Sequence, residues 1–572
     1  MNRSAVLHIP LSQYAYGVDE STIVIRLRTA SGDMTGVSIY YGDRACRQTP
    51  VIFTKQEMVR RFHTLDYDYY EAIIHNAYKR TCYYFALDDG KEQWLYYGDR
   101  FEKEPVDDRS EYFQLPFNHR ADLVRPPQWA QDAIIYNIFP DSFATGKNRI
   151  SLEATECPWG TEITRGMLGG TIRGITENVE YLEQLGINAI YINPIFAAGE
   201  YHKYDLLDYK HIDPCFGTDE DFAELVETYH NHGIRVIIDG VFNHCGWKFF
   251  AFDDVVKHQE QSKYVDWFYG LQFPVVRPED PEAYPNYECF GYERLMPKLN
   301  MENPETKEYF CDVGRYWVEK YGIDGWRLDV ASEVNDDFWR SFARGVKEIN
   351  PEAILIGEVW ESAGHWLDGT MFDSSMNYDF RRHCKRFFAE QSEDAAQFHQ
   401  RVVDMLMRYR YQTVLAQLNI LDSHDVSRFL SVCHEDLDCY KLALTFQMTF
   451  PGMPTIFYGD ECGICGVLEK DYRKPMPWGT HHELQDDLQK LIALRKSSAA
   501  LRRGTFEEVE AREGSRVYKY CRCLENERVF IVLNMENHDL TLSAEELQGT
   551  LRYAKGLDGQ TLQAKGAVII EK

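Results

Sequence analysis

The sequence predicts an α/β protein centred on a (β/α)8 TIM barrel, with an inserted subdomain after strand 3, an N-terminal β-sandwich and a C-terminal antiparallel β-domain. Eight short apolar segments alternate with amphipathic helical patterns between about residues 130 and 480, as in a parallel barrel. The regions before and after this stretch have the residue pattern of β-strands separated by turns. A length of 572 residues also exceeds what one hydrophobic core supports, so several domains are expected.

Residues 1–122 have the pattern of a β-sandwich. Stretches rich in β-branched and aromatic residues, at 23–27, 37–41 and 82–87, are separated by turns that contain Gly, Asp and Asn. Pro126 and Pro127 then interrupt both helix and sheet. We therefore expect a linker here and assign the barrel domain from residue 123 onward.

The barrel region contains eight strand candidates. They lie at 133–139, 189–195, 235–242, 325–330, 353–359, 371–378, 414–423 and 454–459. Helical patterns separate them, for example at 219–233 and at 304–322, where a proline stands at the start. An open doubly wound sheet is the alternative fold, but no GxGxxG motif follows the first strand.

The third strand is followed by a long segment, 245–300, rich in Tyr, Phe, Trp and Pro. Long loops at the carboxyl ends of barrel strands usually build specificity. We therefore expect an inserted domain B that divides the barrel domain into 123–244 and 301–500. Strand patterns at 517–520, 529–534 and 567–570 predict a β-domain over 501–572.

The composition excludes several classes of function. A formal net charge of −28 repels phosphate backbones and anionic lipids, so we expect no nucleic-acid and no membrane partner. No run of about 18 apolar residues occurs, and the first residues do not resemble a signal peptide. The 14 cysteines are scattered, as is typical of free thiols in a reducing compartment, so a cytoplasmic location is expected.

Charged residues close four of the predicted strands. The third ends in Asp239-Gly-Val-Phe-Asn-His244, the fourth in Arg327-Leu-Asp329, the fifth in Glu358 and the seventh in His424-Asp425. All strands of a parallel barrel point their carboxyl ends to the same mouth, so these side chains should converge. One such residue could be a helix cap, but four strand ends that carry such residues indicate a catalytic site.

Convergent carboxylates beside an arginine and two histidines fit glycoside hydrolysis, in which the gap between two carboxyl groups decides between retention and inversion. Arg327 is two residues from Asp329 on one strand and should keep it ionised. Crowding by carboxylates should raise the pKa of Glu358, so that it acts as a general acid. His244 and His424 are suited to donate hydrogen bonds to sugar hydroxyls.

These strand ends resemble the conserved regions of the α-amylase family, glycoside hydrolase family 13. The matching segments are DGVFNH (239–244), GWRLDVASE (325–333), GEVW (357–360) and LDSHD (421–425). The resemblance implies a retaining mechanism with Asp329 as nucleophile, Glu358 as general acid/base and Asp425 as transition-state stabiliser. It also implies substrate contacts from Tyr204, His244, Arg327, His424 and Asp239.

Met296-Pro-Lys-Leu-Asn300 is similar to the signature of the neopullulanase, cyclomaltodextrinase and maltogenic amylase subfamily. Further residues agree with it as substrate-binding positions, namely Glu333, Trp360 and Arg473. In that subfamily the N-terminal module of one subunit covers the partner's active site. The resemblance therefore implies a homodimer that prefers cyclodextrins and short maltooligosaccharides, with α-glucan oligosaccharides as substrates.

Two departures from the family pattern stand out. Relatives carry a calcium loop where this chain reads Ala144-Thr-Gly-Lys-Asn-Arg-Ile-Ser151, with a lysine and an arginine in place of oxygen ligands. We therefore expect no calcium at 144–151, no other metal and no cofactor. Glu469 stands where relatives have an aspartate, which leaves the product length open.

Three alternatives remain open. The chain could be an α-glucosidase or oligo-1,6-glucosidase of the same family, or a transglycosylase, because a covalent intermediate divides between water and sugar acceptors. A non-catalytic glucan-binding protein is the alternative of another class. The complete set of three carboxylates, one arginine and two histidines argues against it.

Overall fold

The computed structural model describes residues 1–98, 100–149 and 168–572. The chain divides into two compact units. The first comprises Met1–Arg125, Gln391–Val414 and Gly504–Lys572, and the second Pro126–Glu390 and Leu415–Arg503. Within the described residues, no helix combines the length and apolar character needed to cross a membrane.

The N-terminal part of the first unit is a pair of antiparallel sheets. One contains Ala15–Gly17, Ile23–Ala30, Tyr67–Ile74 and Val59–His63, and the other Thr54–Glu57, Gly36–Asp43, Thr81–Asp88, Gln93–Tyr97, Arg100–Glu102 and Phe113–Leu115. Alternate residues of both sheets enter one core, in which Ile25 and Leu27 of the first meet Ile39 and Phe85 of the second. The two sheets therefore form a sandwich.

The C-terminal part of the first unit is a six-stranded antiparallel sheet. Its strands are Thr505–Ala511, Val517–Leu524, Glu527–Asn534, Leu540–Thr541, Thr550–Asp558 and Thr561–Glu571. The helix Ala395–Arg408 belongs to the same unit and begins with a capping box formed by Asp394 and Gln397. His399 Nδ1 on this helix and the Tyr518 hydroxyl form a hydrogen bond of 2.9 Å.

The second unit contains a closed parallel barrel of eight strands in chain order. They are Ile135–Ile138 (β1), Ala189–Ile192 (β2), Arg235–Val241 (β3), Gly325–Asp329 (β4), Ile354–Gly357 (β5), Ser374–Asn377 (β6), Leu418–Ile420 (β7) and Met453–Phe457 (β8). The predicted barrel, preceded and followed in the chain by antiparallel sheets, is confirmed. The seventh strand is shorter than the predicted 414–423, because Tyr411–Val414 is helical.

Helices connect the strands of the barrel. In the described part of this unit, the α-helices of five or more residues are Ile172–Thr176, Val179–Leu185, Asp219–Asn231, Phe250–His258, Pro304–Tyr321, Asp336–Ile349, Tyr378–Cys384, Leu437–Thr449, Glu483–Ser497 and Ala499–Arg503. Phe250–His258 lies in the insertion. Pro304–Tyr321 begins at the cap Asn303 and ends at Gly322, whose φ of 70° is a conformation that glycine adopts without strain. This helix leads directly into β4.

Replacing Asn303 by alanine should weaken the start of the helix before β4. The Asn303 side chain accepts hydrogen bonds from the backbone N–H groups of Glu305 and Thr306, both at 3.0 Å. We expect Asn303→Ala to lower the free energy of unfolding by about 1 kcal/mol. Chemical denaturation followed by circular dichroism measures it. Asn303→Asp keeps the acceptor and should cost little; an equal loss in both variants would contradict the capping role.

Candidate active site

The carboxyl ends of the barrel strands open into one pocket of about 530 Å³. It is lined by His202, Tyr204, His244, Phe290, Met296, Asp329, Val330, Ser332, Glu333, Glu358, Trp360, Glu361, Asp425, Glu469, Tyr472 and Arg473. Parallel pairing of β4 with β5 sets Leu328 opposite Gly357, so Asp329 and Glu358 leave neighbouring strands at the same level. The structure thus brings the three predicted carboxylates together.

Arg327 on β4 lies at the centre of these carboxylates and is fully buried. Its Nη1 donates to Asp329 Oδ1 at 2.8 Å and to Asp239 Oδ1 at 3.0 Å. Its Nη2 lies 3.1 Å from Glu358 Oε1 and 3.8 Å from Asp425 Oδ2, as ion pairs without hydrogen-bond geometry. One guanidinium therefore contacts four carboxylates that come from four strand ends.

Burial dominates the protonation of Asp329. It raises the pKa of Asp329 well above the usual carboxyl range; the Arg327 cation opposes this rise, and the nearby Glu358 carboxylate adds to it. The ion pair with Arg327 forms as the sequence predicts, but it does not outweigh burial.

Asp425 has the opposite electrostatic environment. Burial alone would raise its pKa, but the neighbouring His424, and then Arg327 and Arg473, hold the pKa of Asp425 well below its usual range. His424 Nε2 lies 2.9 Å from Asp425 Oδ2, and Arg473 Nη2 lies 3.6 Å from Oδ1. Asp425 therefore stays ionised.

Glu358 receives hydrogen bonds on both carboxyl oxygens. The indole Nε1 of Trp360 donates to Oε1 at 3.1 Å, and the backbone N–H of Val330 donates to Oε2 at 2.8 Å. Val330 has φ 46° and ψ 41°, a left-handed conformation that is strained for a β-branched residue. The Trp360 ring stacks on Tyr378, with centroids 3.9 Å apart. These contacts fix the orientation of the Glu358 carboxyl group.

His244 lies at the end of β3 and presents an unused nitrogen. Its Nε2 is buried and has no hydrogen-bond partner among the described residues. Burial and then the Lys298 cation lower the pKa of His244 to about 3, against an opposing effect of the Tyr204 backbone carbonyl. The ring stacks on Phe290 of the insertion, with centroids 5.0 Å apart. A neutral imidazole thus lines the pocket.

Two other predicted substrate-binding residues lie beneath the pocket surface. Asp239 is fully buried, and its Oδ2 accepts hydrogen bonds from the hydroxyls of Tyr191 and Tyr204, while Arg327 also contacts the carboxylate. His424 is fully buried too, with Nδ1 accepting from Asn193 and Nε2 facing the Tyr204 hydroxyl. Asp239 therefore supports Arg327 and Tyr204 and does not reach the pocket itself.

One wall of the pocket is built around Arg473. Its Nη1 donates to Glu469 Oε1 at 2.7 Å and to the Tyr201 hydroxyl at 2.8 Å, and its Nε donates to the His424 carbonyl at 2.9 Å. Glu469 also accepts a hydrogen bond from the Tyr201 hydroxyl. On another wall the half-exposed Glu333 lies 3.2 Å from Lys298.

Comparison with known proteins identifies the family. Residues 137–503 match the alpha amylase catalytic domain, and residues 1–119 match the alpha amylase N-terminal ig-like domain. The chain belongs to the α-amylase family. It is a glycoside hydrolase. The family resemblance of its strand ends is confirmed, and so is the subfamily resemblance that Met296-Pro-Lys-Leu-Asn300 carries.

Individual relatives of this α-amylase-family enzyme are similar over nearly the whole chain. A cyclomaltodextrinase of Geobacillus thermopakistaniensis is 40% identical over 545 residues, which cover 94% of this chain and 92% of the relative. Neopullulanase 2 of Thermoactinomyces vulgaris is 39% identical over 550 residues, with the same coverage of 94% and 92%. A solved cyclomaltodextrinase structure superposes with a TM-score of 0.90 at 38% identity, covering 100% of this chain and 98% of that one.

The stretch 144–151 of this α-amylase-family enzyme is described only as far as Arg149; Ile150 and Ser151 lie outside the described residues. Within it, the backbone N–H of Lys147 donates to Glu177 and the Lys147 ammonium pairs with Glu180 at 3.0 Å. Over the described ranges, no group of three His, Cys, Asp or Glu side chains is arranged to hold a metal ion. The absence of calcium stays a prediction.

Four residues of this α-amylase-family site do not follow from the strand-end pattern. The Tyr191 hydroxyl donates a hydrogen bond to Asp239, and the Asn193 amide donates one to His424. Phe290 stacks on His244, and the backbone N–H of Val330 donates to Glu358. Asn193 directly follows the apolar run of β2, so a polar residue at a strand end was the available signal. The roles of Phe290 and Val330 depend on tertiary packing and backbone conformation.

Asp329→Asn and Asp425→Asn should change stability in opposite directions at neutral pH. Folding raises the pKa of Asp329, so its ionised form costs stability as the pH rises above about 3.9. Folding lowers the pKa of Asp425, so its ionised form adds stability at neutral pH and loses it as the pH falls through the folded pKa. We expect Asp329→Asn to be more stable than the parent at pH 7 and Asp425→Asn less stable, each by about 1–2 kcal/mol.

Chemical denaturation at pH 7 and at pH 3.5 measures these differences. The gain in Asp329→Asn should shrink at pH 3.5, where the parent side chain is protonated in both states. If Asp329→Asn were destabilised at pH 7 as much as Asp425→Asn, the ion pair with Arg327 would dominate and the assignment of a raised pKa would fail.

Proposed function

We propose that this enzyme hydrolyses α-1,4-glucosidic bonds of cyclodextrins, short maltooligosaccharides and pullulan with retention of configuration. The observation that carries the proposal is the Arg327 guanidinium, which contacts Asp329 and Glu358 with its two terminal nitrogens at 2.8 and 3.1 Å. Retaining glycosidases hold their two carboxyl groups about 5–5.5 Å apart, whereas inverting enzymes leave room for a water between them. Because Asp329 and Glu358 contact the same planar guanidinium, their carboxyl groups fit the narrower separation of a retaining enzyme.

In the first step Asp329 is the nucleophile. Arg327 occupies Oδ1, so Oδ2 is the oxygen available to attack the anomeric carbon. The C–O bond to the leaving sugar breaks, and Glu358, as the general acid, gives its proton to the leaving oxygen. In the second step a water attacks the anomeric carbon, its proton returns to Glu358, and Asp329 leaves as a carboxylate.

The neighbouring groups stabilise the oxocarbenium-like transition state. Asp425, which stays ionised, accepts hydrogen bonds from the 2- and 3-hydroxyls of the reacting sugar, and these bonds strengthen as positive charge develops. His244 offers its unused Nε2 to a sugar hydroxyl. Tyr204 lines the pocket, and its ring packs on the apolar face of the sugar.

Trp360 and Glu333 form the side of the site at which a second sugar, the acceptor, would bind. Trp360 touches Glu358 directly and is 44% exposed, so a sugar that stacks on the indole would compete with water for the glycosyl-enzyme. Transglycosylation, and cleavage of α-1,6 bonds, depend on this surface. We propose both as side activities of the same carboxylate pair.

Support for the substrate class comes from the relatives, which bear the names cyclomaltodextrinase, neopullulanase and maltogenic alpha-amylase. We also propose a homodimer, in which residues 1–119 of one subunit narrow the pocket of its partner, as the subfamily resemblance implies. A pocket narrowed in this way admits short and cyclic substrates more readily than starch.

We propose that the enzyme is located in the cytoplasm.

Glu358→Gln should separate the acid step from the nucleophilic step. With maltotriose, whose leaving group needs a proton, we expect kcat to fall by about 10³-fold or more. With α-maltosyl fluoride, whose leaving group needs none, formation of the glycosyl-enzyme should be much less affected. Stopped-flow measurement of fluoride release follows this step.

Asp329→Asn is the matched control, because it removes the nucleophile at the same site. It should lose activity toward both substrates. Equal losses in Glu358→Gln for maltotriose and for the fluoride would show that Glu358 is not the proton donor.

A product analysis tests the proposed substrates and the stereochemistry. We expect rapid opening of β-cyclodextrin, panose from pullulan and slow attack on soluble starch, with an α-anomer released first, as seen by ¹H NMR. Faster cleavage of starch than of β-cyclodextrin would contradict the narrow pocket. Glucose as the only product, from the chain end, would favour the α-glucosidase alternative, and release of a β-anomer would exclude retention.

Small-angle X-ray scattering in solution tests the homodimer. The expected particle mass is twice 66.9 kDa. A strictly monomeric species across the concentration range used for kinetics would remove the structural reason for the preference for short and cyclic substrates.

A further inference from the structure

We infer that a buried ion pair between Lys203 and Asp213 holds Tyr204 in the position from which its ring packs on the sugar. The value of this contact for catalysis rests on the proposed function. Neither member of the pair is among the described residues that line the pocket. Lys203 is therefore a positioning residue, which acts on the substrate through Tyr204 and does not touch it. Three geometric observations carry the inference.

The first observation is the backbone conformation of Lys203. An antiparallel bridge joins Ala198 to Leu206, and between them the N–H of Lys203 donates to the Glu200 carbonyl at 3.2 Å, which closes a turn. Lys203 itself has φ 62°, in the left-handed region. Loops of this kind usually have glycine there, because a side chain is strained in this conformation. A lysine persists at such a position only where its surroundings enforce it.

The second observation is the ion pair that the Lys203 side chain makes. Its ammonium lies 2.9 Å from Asp213 Oδ2, and the two side chains are 1% and 0% exposed. Asp213 is itself fixed, because it accepts hydrogen bonds from the backbone N–H groups of Ala198 at 3.0 Å and of Cys215 at 2.8 Å. Separating two buried opposite charges is strongly unfavourable. The pair therefore ties the turn to a fixed point further along the chain.

Two more acidic side chains lie near the Lys203 cation. Burial raises the pKa of Asp141 to about 6 and the pKa of Asp205 to about 7, and in each case the Lys203 cation acts in the opposite direction. Asp205 Oδ1 also accepts the N–H of Glu200 at 2.9 Å, at the start of the turn. Lys203 thus supplies positive charge to three buried carboxyl groups, which favours the inward position of its side chain.

The third observation is that the residues on both sides of Lys203 face the pocket. His202 and Tyr204 both line it, and the N–H of Tyr204 donates to His202 Nδ1 at 3.0 Å. The Tyr204 hydroxyl donates to Asp239 Oδ2 at 3.1 Å. Because the Lys203 side chain is drawn into the interior, its two neighbours are turned toward the pocket.

The competing interpretation is that the Tyr204 hydroxyl alone positions the ring and that Lys203 only stabilises the fold. In that case loss of the ion pair would lower the thermal midpoint but would leave the turn as firm as before. A measurement of local opening, made without substrate, separates the two interpretations.

The measurement is amide hydrogen exchange of the full-length protein, followed by mass spectrometry of peptides that span 197–206. In Lys203→Met we expect exchange there to be about tenfold faster or more, because the pair that holds the turn is lost. Lys203→Met/Asp213→Asn removes both charges, so it avoids an unpaired buried carboxylate if the single variant does not fold. It should open the same turn. Unchanged exchange over 197–206 in the folded variants would overturn the inference, whatever their activity.

Lys565→Met is the matched control. Lys565 has φ 54° and is 8% exposed, and its ammonium donates to the Met535 carbonyl at 2.6 Å, but it lies in the C-terminal sheet. This variant loses a buried lysine from the same backbone conformation. It should lower the thermal midpoint and change neither the exchange over 197–206 nor kcat/KM. Equally fast exchange over 197–206 in this control would assign the effect to a general loss of stability and would also overturn the inference.

Kinetics show whether the pair acts through Tyr204. For Lys203→Met we expect kcat/KM for maltotriose to fall about tenfold to a hundredfold, since a small displacement of a binding group has effects of this size. In the Tyr204→Ala background the ring is already absent, so the same change should lower kcat/KM by less than about threefold. A fall as large as that in the parent would show that Lys203 does not act through Tyr204. The exchange measurement does not depend on turnover, so it stands or falls separately from the proposed function.

Discussion

A single buried guanidinium organises the catalytic end of this barrel. Arg327 is fully buried, and its terminal nitrogens contact Asp239, Asp329, Glu358 and Asp425. An unpaired arginine in such a place would be very costly, and so would four unpaired carboxylates. Each group is stable there only because the others are present. The strand register of β3, β4, β5 and β7 brings them together, so the fold and the site cannot be separated.

The same arrangement divides the acidic groups by function. Asp425, beside His424 and Arg473, has its pKa held low, whereas Asp329 has its pKa raised by burial. Neighbouring environments thus shift the pKa values of two carboxyl groups at one site in opposite directions. The backbone of Val330, strained in the left-handed region, fixes Glu358 beside Asp329. Strain of this kind persists only where surrounding packing enforces it.

The sequence predicts the eight strands and the convergence of their charged ends, because both depend on local apolar runs and on the direction shared by parallel strands. It does not predict that Gln391–Val414 joins the first unit, since that depends on which core the helix enters. Nor does it predict the raised pKa of Asp329, because the balance between burial and Arg327 is a tertiary quantity. The supports from Asn193 and Val330 are set by side-chain contacts and backbone dihedrals that residue type alone does not fix.

The central claim is that the Arg327-bound pair consists of a nucleophile and an acid, with Asp329 as the nucleophile. Trapping the covalent intermediate tests it most directly. A slowly hydrolysed 5-fluoro-maltosyl fluoride should add one glycosyl unit to the enzyme, seen as a mass shift of the intact chain. Proteolysis and tandem mass spectrometry should then place that unit on Asp329. A label on Glu358 or Asp425, or steady turnover to an inverted product with no label, would contradict the assignment.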